Sequence, residues 1–144
     1  MGIKKNVPFI RLGPMGYPMA GHLSKSNLFN LKVFNRSPQK AAAWSKDYEG
    51  EVSSSIKEAV IDADFVVTCT GRDEDMKEIV FAEQGMITHL KKGSIFIDHT
   101  TTSYKLAKHL NESLAAKGVS FIDAPVSGGE AGAINGVLSV MAGG

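Results

Sequence analysis

Phe9-Ile10-Arg11-Leu12-Gly13-Pro14-Met15-Gly16-Tyr17-Pro18-Met19 is the stretch on which the fold turns. A short apolar run breaks at glycine and reopens as a segment of helical character. A dinucleotide-binding strand–turn–helix unit begins this way, with the pattern G-x-G-x-x-G. Here it reads R-x-G-x-x-G. Gly13 stands where the backbone must approach a pyrophosphate, and Gly16 where the helix packs closely on the strand. Arg11 occupies the position of the first glycine, where a tight turn tolerates a Cβ poorly. Its side chain either enters the space meant for a cofactor or swings out to meet a phosphate; we expect it to weaken binding. Pro8 removes a ladder donor and should sit where that amide is unpaired.

Outward from this turn, short apolar runs alternate with longer segments of helical period. Val7–Ile10, Leu31–Phe34, Asp64–Thr68, Ser94–Ile97, Val119–Ile122 and Val137–Met141 read as buried parallel strands, with a weaker candidate at Glu51-Val52. Helices are expected over Gly16–Ser26, Pro38–Lys46, Ser55–Asp62, Glu74–Val80, Ser103–Lys117 and Glu130–Asn135. Ser37-Pro38 reads as a cap followed by proline at the first helical position, and Gly118 as a C-terminal stop. Ser103, Leu106, Leu110 and Leu114 fall along one face. Such alternation predicts an α/β, doubly wound (Rossmann-type), mostly parallel sheet with helices on both faces. Right-handed crossovers should bring ligands to the C-terminal ends of the strands.

The bulk figures narrow the function. The 144 residues suit one domain, 1–144, and 43% of them are hydrophobic. With 16 basic and 15 acidic residues, net charge is +1, so no basic excess points to nucleic acid or a membrane surface. No apolar run approaches the ~20 residues of a membrane span. The Met1–Asn6 start lacks a signal-peptide core and a myristoylation serine. One cysteine, Cys69, permits no internal disulfide and reads as core. A cytoplasmic protein is expected. His22, His89, His99 and His109 make no metal-spaced set, so no metal is expected. His22 and His109 read as helix-surface residues, whereas His99 sits beside the expected site. Asp73-Glu74-Asp75 reads as an acidic helix start.

About 20 residues after the turn, where an NAD site places an acidic residue on the ribose, stands Asn35-Arg36-Ser37. A guanidinium, a hydroxyl and an amide suit a 2′-phosphate, hence NADP, with NAD possible. At a later strand end, Asp123-Ala124-Pro125-Val126-Ser127-Gly128-Gly129 joins a proline turn to a glycine pair, a loop able to offer amides and a hydroxyl to a carboxylate or simply a connection that needs glycines.

Phe9–Ala20, then Phe34-Asn35-Arg36-Ser37, then Asp98-His99-Thr100-Thr101, then Asp123–Gly129, in this order and spacing, resemble the β-hydroxyacid dehydrogenases, the group of 3-hydroxyisobutyrate dehydrogenase and the glyoxylate/succinic semialdehyde reductases. The resemblance runs from about Pro8 to Gly144. It implies a cofactor-binding domain of an oxidoreductase that moves a hydride between a nicotinamide cofactor and a short hydroxy acid or semialdehyde. It implies that Leu12, Gly13, Pro14 and Met15 lie along the pyrophosphate and that Asn35, Arg36 and Ser37 hold the 2′-phosphate end. It places Thr70, Gly71 and Thr101 near the cofactor, and Ser127, Gly128 and Gly129 on the substrate carboxylate. Where the family often carries Leu-Pro and then an asparagine, this chain has Thr70-Gly71 and Asp75, so Asp75 is a departing match. The resemblance further implies an all-α second half that builds a homo-oligomer and carries a lysine acid in a G-x-x-G motif. No G-x-x-G segment that leads into such a lysine occurs within residues 1–144, so no catalytic residue is assigned here and the chain alone should turn over negligibly. Imine reductases share the fold and turn, and a non-catalytic nucleotide-binding module is the other reading.

Overall fold

The computed structural model describes residues 4–143. Residues 1–3, part of the leader reading, and Gly144 lie outside the described residues. Six parallel strands form one sheet: β1 (Lys5–Ile10), β2 (Phe29–Phe34), β3 (Glu51–Val52), β4 (Phe65–Thr68), β5 (Ile95–Asp98) and β6 (Ser120–Asp123), in the order β3-β2-β1-β4-β5-β6. The chain winds outward from β1 in one direction to β3, then returns to β4 and winds the other way. The reversal between β1 and β4 opens a crevice beyond their C-terminal ends, the place where doubly wound sheets take ligands.

Helices cover both faces. On one lie α1 (Gly16–Ser26) and α2 (Pro38–Asp47), around Phe9, Leu12, Val33 and Trp44. On the other lie α3 (Ile56–Val60), α4 (Asp73–Phe81) and α5 (Tyr104–Ala115), around Ile10, Val66, Met76 and Phe96. The expected leucine stripe is real: Leu106, Leu110 and Leu114 are buried, each worth about 1.5–3 kcal/mol of apolar burial. Ser103 is not part of it. It caps α5, its hydroxyl accepting the Leu106 amide at 3.2 Å. Ser37 does the reverse of what its position suggests: it occupies the cap site of α2 without a side-chain cap bond, and its hydroxyl donates to Gln39 at 2.9 Å. Pro8 stands opposite Lys32, one residue before pairing with β4 starts at Phe9.

The sheet departs from expectation at its end. Val137–Met141 is not a buried parallel strand. Within it, β8 (Ser139–Val140) pairs antiparallel with β7 (Val126–Ser127), a strand the apolar pattern did not disclose. Val137, Val140 and Met141 are exposed. After β6 the chain spends Val126–Ser127 on β7, and the short α6 (Gly129–Asn135) leads back to pair with it rather than onward to the sheet. The left-handed Gly136, φ 69°, turns the chain back instead, and Gly143 then bridges antiparallel to Asp123 at the sheet's edge.

Two consequences are measurable. A Cβ at Gly16 would collide with the carbonyl oxygen of Arg11 and press on the Phe9 ring. Gly16→Ala should therefore cost about 1–3 kcal/mol in urea unfolding, and an unchanged midpoint would refute the close approach. Cys69 is buried in the α1/α2 core, and burial, with the Asp98 charge adding, pushes its thiol up to about 11. At pH 8 its thiolate fraction should be roughly a hundredfold below that of a free thiol. Disulfide reagents should thus label the native protein far more slowly than the unfolded chain.

Candidate cofactor site

The turn after β1 is pinned to the end of β2. The Arg11 amide donates to the Phe34 carbonyl at 2.8 Å, and the Leu12 amide to Asn35 Oδ1 at 2.9 Å. Asn35 Nδ2 reaches the Ser37 carbonyl at 3.3 Å. These bonds bring the two halves of the sequence reading into one groove of about 410 Å³, lined by Arg11, Leu12, Gly13, Asn35, Arg36, Ser37 and Lys40. Three of its seven lining residues are basic and none is acidic. Lys40, in the first turn of α2, was missed because helix position alone does not reveal which side chain overhangs a neighbouring turn.

Gly13 has an ordinary φ, and nothing in the protein lies within 4 Å of where its Cβ would be. Neither backbone strain nor packing demands glycine there. A group passing close along the groove would. By contrast Met15 is half-buried and packs its side chain against the α1/α2 core. Pro14 is exposed and borders a second recess with Gly13, Tyr17 and Lys25.

Arg11 adopts φ 83°, a conformation natural to glycine. Its guanidinium swings across the crevice and lies 3.7 Å from the Asp75 carboxylate at the start of α4. Asp75 is thus occupied by this pair and, at 3.9 Å, by Arg72. Arg36 lies 3.7 Å from Glu78, one turn further along α4.

Beyond β4 and β5 a buried carboxylate organises the chain. Asp98 accepts from Thr68 Oγ1 at 2.9 Å, the Thr100 amide at 2.9 Å and Thr102 Oγ1 at 2.7 Å. Thr100 Oγ1 in turn accepts the Thr70 amide at 2.9 Å. Thr70 is half-buried, while Gly71 and Thr101 are exposed at the strand ends. Ser127, Gly128 and Gly129 are exposed as well and do not line the groove. Gly128, at φ 134°, and Gly129, at φ 64°, both need glycine for conformation, and a Cβ at Gly128 would also press on Leu138. Burial, and the negative charge of Asp98, push the Asp123 carboxyl up.

The histidines divide. His22 is not a free surface residue: its Nε2 lies 2.9 Å from the Ala133 carbonyl and 3.0 Å from that of Ile134, tying α1 to α6. His99 Nδ1 lies 2.8 Å from the Ala124 carbonyl. Both border an apolar trough of about 610 Å³ over β1, β4 and β5. That trough lacks convergent polar groups, so the smaller basic groove is the better candidate for a charged ligand. Among the described residues no cluster of His, Cys, Asp or Glu could hold a metal, and no helix is long and apolar enough to cross a membrane.

Comparison with known proteins agrees with the fold. Residues 6–144 match the family model described as the NAD binding domain of 6-phosphogluconate dehydrogenase. An uncharacterised oxidoreductase of Shewanella frigidimarina is 44% identical over 96% of this chain and 47% of its own. Mouse mitochondrial 3-hydroxyisobutyrate dehydrogenase is 35% identical over all of this chain and 42% of its own. The chain thus spans about half the length of the curated relatives it matches. Among solved structures, 3-hydroxyisobutyrate dehydrogenase of Mycobacterium tuberculosis with L-serine superposes at TM-score 0.89, with 29% identity over 99% of this chain and 47% of that one. Psf3 in complex with NADP+ and 2-OPP gives 0.88, with 31% identity over 94% and 48%. An imine reductase of Pseudomonas sp., 17% identical at TM-score 0.75 over 90% and 44%, shares the fold alone. The resemblance to the β-hydroxyacid dehydrogenases holds, and the chain belongs to the family of NAD-binding domains of 6-phosphogluconate dehydrogenase.

Proposed function

We propose that this chain is the NADP(H)-binding domain of a β-hydroxyacid dehydrogenase that interconverts a short hydroxy acid and its semialdehyde or oxoacid. The observation that carries the reading is Gly13: a glycine that the protein's own packing does not require, at the floor of a basic groove. The amides near the start of α1 and its positive dipole end suit a pyrophosphate there.

Preference for the 2′-phosphate rests on the groove's end. Arg36 and Lys40 supply charge, and Ser37 a hydroxyl, with no carboxylate in the lining to accept a ribose 2′-OH. Asn35 spends its side chain on holding Leu12 and Ser37, so its role is to position the others. Leu12, Gly13, Pro14 and the Met15 backbone would lie along the diphosphate. Thr70, Gly71 and Thr101, exposed or half-exposed beyond β4 and β5, would flank the nicotinamide half. The loop Ser127-Gly128-Gly129 would take the carboxylate of the substrate. A bound nicotinamide supplies the hydride; these residues bind and orient. The reading assigns no proton donor to residues 1–144. The lysine acid expected from the resemblance belongs to a further segment, as does the assembly of an oligomer.

A second reading is favoured by one observation, the positive φ of Arg11: a nucleotide-binding module without catalysis, its turn altered. Binding and turnover separate the two. Titration calorimetry should show NADPH binding at least tenfold tighter than NADH. Arg36→Ala should weaken NADPH by about 10- to 100-fold, the loss of a charge-assisted contact, and change NADH little. Equal affinities in the wild type would refute the 2′-phosphate assignment. The 144-residue chain should reduce succinic semialdehyde or glyoxylate negligibly with NADPH, and robust turnover would show that it holds its own proton donor.

A further inference from the structure

In a doubly wound sheet a dinucleotide lies across the switch point, with one half on each side. Here that point is the crevice between β1 and β4. Arg11 sits on the β1 side and Asp75 on the far side, at the head of α4, and their ion pair spans it. Arg36 and Glu78 make a second, outer crossing, with side chains 76% and 59% exposed. The inner pair is more sheltered, at 27% and 18%. Its 3.7 Å separation is long for a charge-assisted bond between guanidinium and carboxylate, which close at about 2.7–2.9 Å.

From this placement, and resting on the dinucleotide reading above, we infer that Arg11 is a latch that exchanges Asp75 for the cofactor's diphosphate. Three features support exchange over simple blockage. The guanidinium lies beside the groove that holds Gly13, so a diphosphate there is within the sweep of a flexible side chain. A doubly charged diphosphate is a stronger partner than a single carboxylate already shared with Arg72. The glycine-like backbone of Arg11, φ 83°, directs its Cβ away from the ordinary course of the turn, and its amide stays on Phe34, so the turn is intact beneath the side chain. Asp75 then acts through Arg11: it positions the guanidinium across the entrance and competes for it. The latch makes cofactor affinity depend on a pair that the usual glycine at this place could not form.

The test is a double-mutant cycle read by NADPH calorimetry on the wild type, Arg11→Gly, Asp75→Asn and the double variant. Glycine suits the backbone at position 11, so that variant should fold. Arg11→Gly should weaken NADPH about tenfold, as expected for a lost charge-assisted contact. Asp75→Asn should tighten it about three- to tenfold by freeing Arg11, and that gain should vanish in the double variant. Tighter or unchanged binding by Arg11→Gly would overturn the latch, making Arg11 an obstruction or a bystander. A gain from Asp75→Asn that persists without Arg11 would overturn it too, since Asp75 would then act on the ligand directly. If the wild type fails to bind and Arg11→Gly restores binding, the dinucleotide reading stands and the latch falls. If neither binds NADPH or NADH, both fall.

Discussion

The bond from the Leu12 amide to Asn35 Oδ1, with its neighbour from the Arg11 amide to the Phe34 carbonyl, is the constraint on which the groove depends. Two strands that lie side by side need not present their following turns at a fixed offset. These bonds set the offset. They use a buried-edge amide that would otherwise be orphaned where β1 leaves the sheet, and an unsatisfied amide of that kind costs about 1–3 kcal/mol. The turn and the polar end of β2 are therefore held together, with Gly13, Arg36, Ser37 and Lys40 arranged around a common space. Asn35 sits in the sequence among residues suited to a phosphate. Its work is internal.

The carboxylate of Asp98 does the corresponding work on the other side of the crevice. Fully buried, it gathers donors from Thr68, Thr100 and Thr102, and Thr100 passes the restraint to the Thr70 amide. A buried charge is tolerated only when its oxygens are satisfied, and here the satisfaction comes from the ends of β4 and β5. The strand ends on either side of the switch point are thus each locked by one polar side chain, at position 35 and position 98. Such locking is what a site needs if it is to hold a ligand by backbone groups, which cannot adjust as long side chains do.

Much of this was legible because it is local. The apolar runs that became the six parallel strands, the glycine turn and the leucine stripe of α5 are set by neighbours within a few residues. What escaped was set by contacts distant in sequence. Val137–Met141 looks like a buried strand by composition, but its fate was decided by pairing with Val126-Ser127. His22 reads as a surface residue from its helix position, yet it meets carbonyls more than a hundred residues later. Ser37 reads as a cap and is drawn to Gln39 instead. Lys40 becomes a groove residue only because α2 starts beside the turn.

Arg11 shows how a local rule can be broken without losing the architecture that normally requires it. The turn wants positive φ at this position, and a non-glycine residue held there costs on the order of 1 kcal/mol. A partly exposed ion pair returns about 0–1 kcal/mol, so the Asp75 contact by itself barely offsets the strain. Stability is thus a weak reason for arginine at this place, since glycine would serve the backbone as well or better. What glycine cannot supply is a cation able to reach from one side of the crevice to the other. On the proposed dinucleotide reading, the residue is therefore better explained by a ligand lying across that crevice than by what holds the turn in shape.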